Sequence, residues 1–162
     1  MRNYKKIIAW EKADELTIQI YSVTKKFPRE EIFGLTHQIR KASVSVAANI
    51  AEGAARESKR EYLHFLYIAR GSLAETEYFL KDVGFACVFH LSHKLAYLSE
   101  PEFDSLSLMC NAAFGTLAGL IKSVKKETSV MTKAIAKRCR LRRHLFLTSG
   151  LVLYGIKCLS LT

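Results

Sequence analysis

Between Gly34 and Tyr62 the chain carries two adjoining rows of small or apolar residues at helical spacing. The first row is Leu35, Ile39, Ala42, Val46, Asn49 and Gly53, and the second is Ser43, Ala47, Ile50 and Ala54. Alternating steps of four and three residues place each row on one face of a helix. Two such faces side by side call for a helix covered on more than one side. Residues as small as alanine and serine let a neighbouring backbone approach closely. A chain built around this helix packs it in the middle of other helices.

The rest of the composition agrees with an all-helical protein. The 162 residues include only two prolines, Pro28 and Pro101, and eight glycines, and the length is enough for one domain with a real core. The formal charge of +10 is uneven: residues 1–126 hold 18 Lys/Arg against 14 Asp/Glu, whereas residues 127–162 hold 7 against 1. A basic balance makes polyanions plausible partners, because each phosphate contact releases condensed counterions. Cys87, Cys110, Cys139 and Cys158 are widely spaced with no C-x-x-C pair. With no apolar leader at the N-terminus, they are expected to be reduced thiols in a cytoplasmic protein.

Taken in order, the chain offers four amphipathic helices. The first is predicted from about Ile8 to Lys26, with Trp10, Ala13, Leu16, Ile20, Val23 and Phe27 on its apolar side, and Phe27-Pro28 ends it. The central helix comes next and stops at Glu52-Gly53 or frays over the next two alanines. Ser58 and Glu61 have the capping-box spacing and start a third helix, which presents Tyr62, Phe65, Leu66, Ala69, Leu73, Thr76, Phe79 and Leu80. A second capping box, Ser99-Glu100-Pro101-Glu102, opens a fourth. Its seam of Phe103, Leu106, Cys110, Ala113, Leu117, Leu120 and Val124 is heptad-like, and Lys122, Lys125 and Lys126 are expected to close it. The expected fold is an all-α, up-down four-helix bundle over residues 1–126, with a basic, partly helical extension over 127–162.

The run Phe27-Pro28, Glu31, Gly34-Leu35-Thr36, Gln38-Ile39-Arg40, Ser45-Val46, Asn49-Ile50-Ala51-Glu52-Gly53, Ser58-Lys59, Glu61, Phe65-Leu66, Ala69, Gly71-Ser72 and Glu75 resembles a bacterial four-helix-bundle family. That family was first noticed as the protein encoded in intervening sequences of 23S ribosomal RNA genes, and it is often labelled S23-type. The resemblance covers residues 1–80 well and 91–126 loosely. It implies a small cytoplasmic bundle, a ring-like pentamer in some relatives, with no established enzymatic activity. A related branch comprises the accessory proteins of diversity-generating retroelements, basic bundles that associate with a reverse transcriptase and nucleic acid.

Two stretches depart from the family pattern. Lys81 to Phe89 reads as an insertion in the third helix. Nine extra residues would rotate a continuous helix by about 900°, ending half a turn out of phase. The segment is therefore expected to loop out, kink near Gly84 or turn the distal part of the helix onto a different neighbour. In the tail, Lys133, Lys137, Arg138, Arg140, Arg142 and Arg143 precede an uncharged run from Leu145 to Ile156. Lys157 interrupts it short of the eighteen or so residues of a membrane span. A fifth helix or a poorly ordered extension is expected there. A surface-anchoring role for residues 137–156 is the weaker reading.

No reaction centre emerges. Glu61 and His64 form one Glu-x-x-His, but a ferritin-like di-iron site needs a second, which the chain lacks. His90 and His93 make half a metal site, and neither a phosphate-binding glycine loop nor a nucleophile elbow is present. No metal, cofactor or catalysis is expected. Asn49, on the apolar row, reads as a structural residue that fixes helix register or oligomer state, caps a neighbouring helix or bonds the turn around Gly53 and Ser58. Glu52, Gly53, Ser58 and Glu61 complete that structural motif.

The functional expectation is a non-catalytic homo-oligomer that binds RNA or a nucleic-acid-processing protein. Its candidate contacts are Arg40, Lys41, Arg56, Lys59, Arg60, Lys122, Lys125 and Lys126, with Arg40 alternatively pairing with Glu52 or with a neighbouring subunit. The alternative is an assembly scaffold whose charges only keep it soluble.

Overall fold

The computed structural model of the chain describes residues 2–83 and 97–148. They form α1 (Ile8–Val23), α2 (Leu35–Ala55), α3 (Lys59–Val83) and α4 (Glu100–Thr148), with no strand among the described residues. Most of the Lys81–Phe89 insertion, His90 and His93 lie outside the described residues, as does the tail beyond Thr148.

Each helix boundary has a local cause. α1 tightens into a 3-10 turn over Thr24–Lys26, which the expected helix had included, and Phe27 then turns extended ahead of Pro28. α2 begins after Gly34 with its first amide donating to the Glu31 carboxylate at 2.9 Å. At the start of α3 the Ser58 hydroxyl accepts from the Glu61 amide at 3.1 Å, the hydroxyl half of the expected capping box. Ahead of α4 the bonding is different. The Glu102 carboxylate accepts from both the amide and the hydroxyl of Ser99, at 3.0 and 2.7 Å, and also takes Lys26 at 2.5 Å. With three donors on it, its pKa falls from 4.5 to about 2, the Lys26 contact contributing most.

Contacts along the helices give the topology. Arg2, ahead of α1, bonds Ala54 and Arg56 at the end of α2, while Arg40 near the start of α2 reaches Thr24 beyond α1. α1 and α2 are therefore antiparallel. Gly53 meets Tyr62 and Phe65, and Ser45 meets Ser72, which sets α3 antiparallel to α2. Lys26 on Glu102 and Lys125 on Tyr67 set α4 antiparallel to α1 and α3. This is the expected up-down bundle.

One apolar core joins all four helices. Leu16 and Ile20 of α1, Ile39 and Ile50 of α2, Leu66 and Leu73 of α3, and Leu106 and Leu117 of α4 are almost wholly buried in it. Burial of each such side chain contributes about 1.5–3 kcal/mol. On α4 the buried stripe reads Leu106, Cys110, Ala113, Leu117, Ile121 and Val124, with the expected Leu120 only partly covered. A straight helix drifts off a strict seven-residue repeat, so the stripe passes to Ile121.

Two compact units divide between Lys125 and Lys126. The first holds the bundle, and the described part of the second is the remainder of α4. Lys126 does not end α4, which reaches Thr148, so the three lysines are not a C-terminal cap. Among the described residues one stretch, Glu100–Ser129, is long and apolar enough by length and composition to cross a membrane. Its apolar stripe from Leu106 to Val124 belongs to the bundle core.

Candidate nucleic-acid interface

The Asn-Ile-Ala-Glu-Gly motif of α2 is occupied with holding the bundle together. Asn49 donates to the Ser45 carbonyl at 2.7 Å and to the Ser45 hydroxyl at 3.0 Å, and that hydroxyl meets Ser72 of α3 at 2.9 Å. Asn49 thus supports a polar bridge between two helices, and among the described residues it neither caps a neighbour nor bonds the Gly53–Ser58 turn. Ile50 fills the core, and Glu52 pairs with Arg56 one turn on. Gly53 is required by closeness: a Cβ there would stand 2.8 Å from the Cβ of Phe65 and 3.0 Å from the Tyr62 ring.

The basic candidates separate into distinct places once the helices are packed. Arg56 is half-buried, ion-paired to Glu52, and lies over the Phe65 ring with its guanidinium carbon 4.7 Å from the centroid. Its carbonyl accepts from Arg2, which in turn lies over Tyr62 at 4.6 Å. Arg56 therefore closes the α2–α3 turn. Lys59, beside it, is half-buried. Arg60 points to solvent at the start of a stripe that continues through Tyr67, about 10 Å along α3.

Tyr67 is where α3 and α4 bring their cations together. Arg70 lies 4.9 Å and Lys125 5.2 Å from its ring centroid, and Lys122 is one turn before Lys125. Arg60, Arg70, Lys122 and Lys125 are all exposed, and none forms an ion pair among the described residues. Lys126 is exposed too, but falls in the second unit. Sequence reading missed Arg70 and Tyr67. Their three-residue spacing on α3 was the available signal, and the arrival of Lys125 from α4 had none.

Arg40 and Lys41 sit at the other end of α2, on a cleft of about 450 Å³ shared with Tyr21, Phe33, Thr36 and His37. Among the described residues no acidic side chain lines it. Arg40 donates its Nε to the Thr24 hydroxyl at 2.7 Å and lays its guanidinium over Tyr21 at 4.8 Å. Glu52, the alternative partner for Arg40, is taken by Arg56. Among the described residues no carboxylate pairs with Arg40, and the side-chain hydrogen bond it makes there is the one from its Nε to Thr24. Thr36 is buried, and its hydroxyl has no hydrogen-bond partner, a rare state for a buried polar group. Phe33 is 92 % exposed.

A second groove, lined by Trp10 and Asp14 of α1 and by Val44, Ala48 and Ala51 of α2, runs between those helices. Ile18, Tyr21 and Val44 add exposed apolar surface nearby. Among the described residues no three His, Cys, Asp or Glu side chains converge as metal ligands would.

A comparison with curated proteins finds no match. The family model described as 23S rRNA-intervening sequence protein matches residues 5–119, a span that takes in α1 to α3 and most of α4's bundle stripe. With its four-helix architecture and the Asn49–Gly53 motif at the α2–α3 contact, the chain belongs to the 23S rRNA-intervening sequence protein family.

Proposed function

We propose that the protein is a non-catalytic, oligomeric bundle that binds RNA through its basic surface. The observation that carries this reading is the cluster around Tyr67. Arg60, Arg70, Lys122 and Lys125 present four exposed positive charges from two helices, with no carboxylate paired to any of them among the described residues. Such a stripe attracts a phosphate backbone without reading its bases.

Assembly would multiply the stripe. A second copy of the chain is the partner proposed for the α1–α2 groove, where Ala48 and Ala51 leave room for a close helix approach. The pentamer implied by the family resemblance would then present several stripes to one RNA, and avidity would strengthen a weak contact. That groove also supports the second reading, a protein-assembly scaffold that ignores nucleic acid.

The test is RNA affinity measured as a function of salt for the wild type and for a variant carrying Arg60→Ala and Lys122→Ala. Loss of two phosphate contacts should lower the slope of log affinity against log salt by about 1.5. An unchanged slope would remove this surface from the account.

A further inference from the structure

Thr36 and Arg40 are not used by the Tyr67 stripe, yet both line the cleft at the start of α2. Three features of that cleft belong together. Arg40 is pre-set: Thr24 holds its Nε and Tyr21 supports its plane, leaving the two terminal nitrogens as a fork of the shape that grips a phosphate. Lys41 and His37, both exposed, line the same cleft, and no acid opposes them. Phe33, an aromatic side chain 92 % exposed, lines the cleft together with these cations.

An anion with a flat aromatic body matches this set, and the open depression offers about 450 Å³ to hold it. We propose that the cleft takes one unpaired nucleotide of an RNA strand, its phosphate on Arg40 and Lys41 and its base stacked on Phe33. The choice of RNA as the source of that nucleotide rests on the function proposed above. Glu31, the nearest acid in sequence, does not line the cleft, since its carboxylate is held on the Leu35 amide. A base inside a duplex has no free face to offer Phe33, so the cleft distinguishes single strands from double ones.

The experiment compares a labelled single-stranded RNA, a duplex of equal phosphate number and adenosine 5′-monophosphate, each titrated against the full chain and its Phe33→Ala and Lys41→Ala variants. Phe33→Ala should weaken the single strand about tenfold and leave the duplex unchanged. Lys41→Ala should reduce the single-strand salt slope by about 0.7. If both RNAs bind and Phe33→Ala changes neither, the nucleotide cleft is wrong while RNA binding stands. If no RNA binds but adenosine monophosphate binds in a Phe33-dependent way, RNA is overturned as the source and the nucleotide chemistry is upheld. Failure of all three probes overturns both. A Phe33→Ala chain whose mass by light scattering drops to that of a smaller assembly would make the cleft a subunit contact, which also overturns the proposal.

Discussion

Gly53 lies so close to Phe65 that a Cβ at position 53 would stand 2.8 Å from the Phe65 Cβ, nearer than two unbonded carbons can rest. The neighbour that would have to move is fixed to the α3 backbone, so α2 and α3 would be forced apart. Gly53→Ala should lower stability by about 1–3 kcal/mol despite alanine's better helix propensity. Urea unfolding followed by circular dichroism measures this, and a variant as stable as the wild type would contradict the close approach.

The Ser45–Ser72 bridge predicts coupling between helices. Ser72→Ala should cost about 1 kcal/mol, and the same substitution in a chain already carrying Ser45→Ala should cost less, because the partner is gone. A double-mutant cycle with additive effects would show that the two hydroxyls do not act together.

These contacts show what was readable in the residue pattern and what was not. Helical spacing was enough to find four helices and most of the core, because burial in a bundle follows a 3.6-residue period. It put Leu120 on the α4 stripe where Ile121 is the buried residue, since a heptad reading ignores the drift that brings Ile121 inward, while Val124 beyond it is buried as expected. The role of Gly53 needed the third helix to be in place before its closeness to Phe65 could be seen. The basic residues were visible singly, but their grouping depends on which helices meet. Packing turned Arg56 towards Glu52 and Phe65, and brought Lys125 from α4 onto Tyr67 beside Arg70.

Arg56 should accordingly matter for folding more than for binding. Arg56→Ala removes a surface ion pair and the cover over Phe65, a loss of about 0.5–1 kcal/mol. RNA affinity and its salt slope should stay near those of the wild type. A drop in affinity equal to that of Arg60→Ala, with stability unchanged, would reverse this assignment.

Glu102 predicts a pH dependence with a definite sign. Its folded pKa, about 2, lies below the ordinary 4.5 because Lys26 and Ser99 favour the carboxylate. The stabilisation is therefore present above pH 4.5 and disappears as pH falls towards 2. The pair is on the surface, so the effect is small. Unfolding midpoints of the wild type and Glu102→Gln should differ at about pH 6 and converge across that interval. A difference that persisted at the acid end would assign the effect to packing.

The most direct measurement of the central claim is size-exclusion chromatography with light scattering, run with and without a mixed RNA pool at low and at physiological salt. The account predicts an oligomer that shifts onto RNA at low salt and releases it progressively as salt rises, with the shift reduced by Arg60→Ala and Lys122→Ala. An oligomer of unchanged mass in the presence of RNA at both salt concentrations would contradict RNA binding and leave the protein-assembly reading in its place.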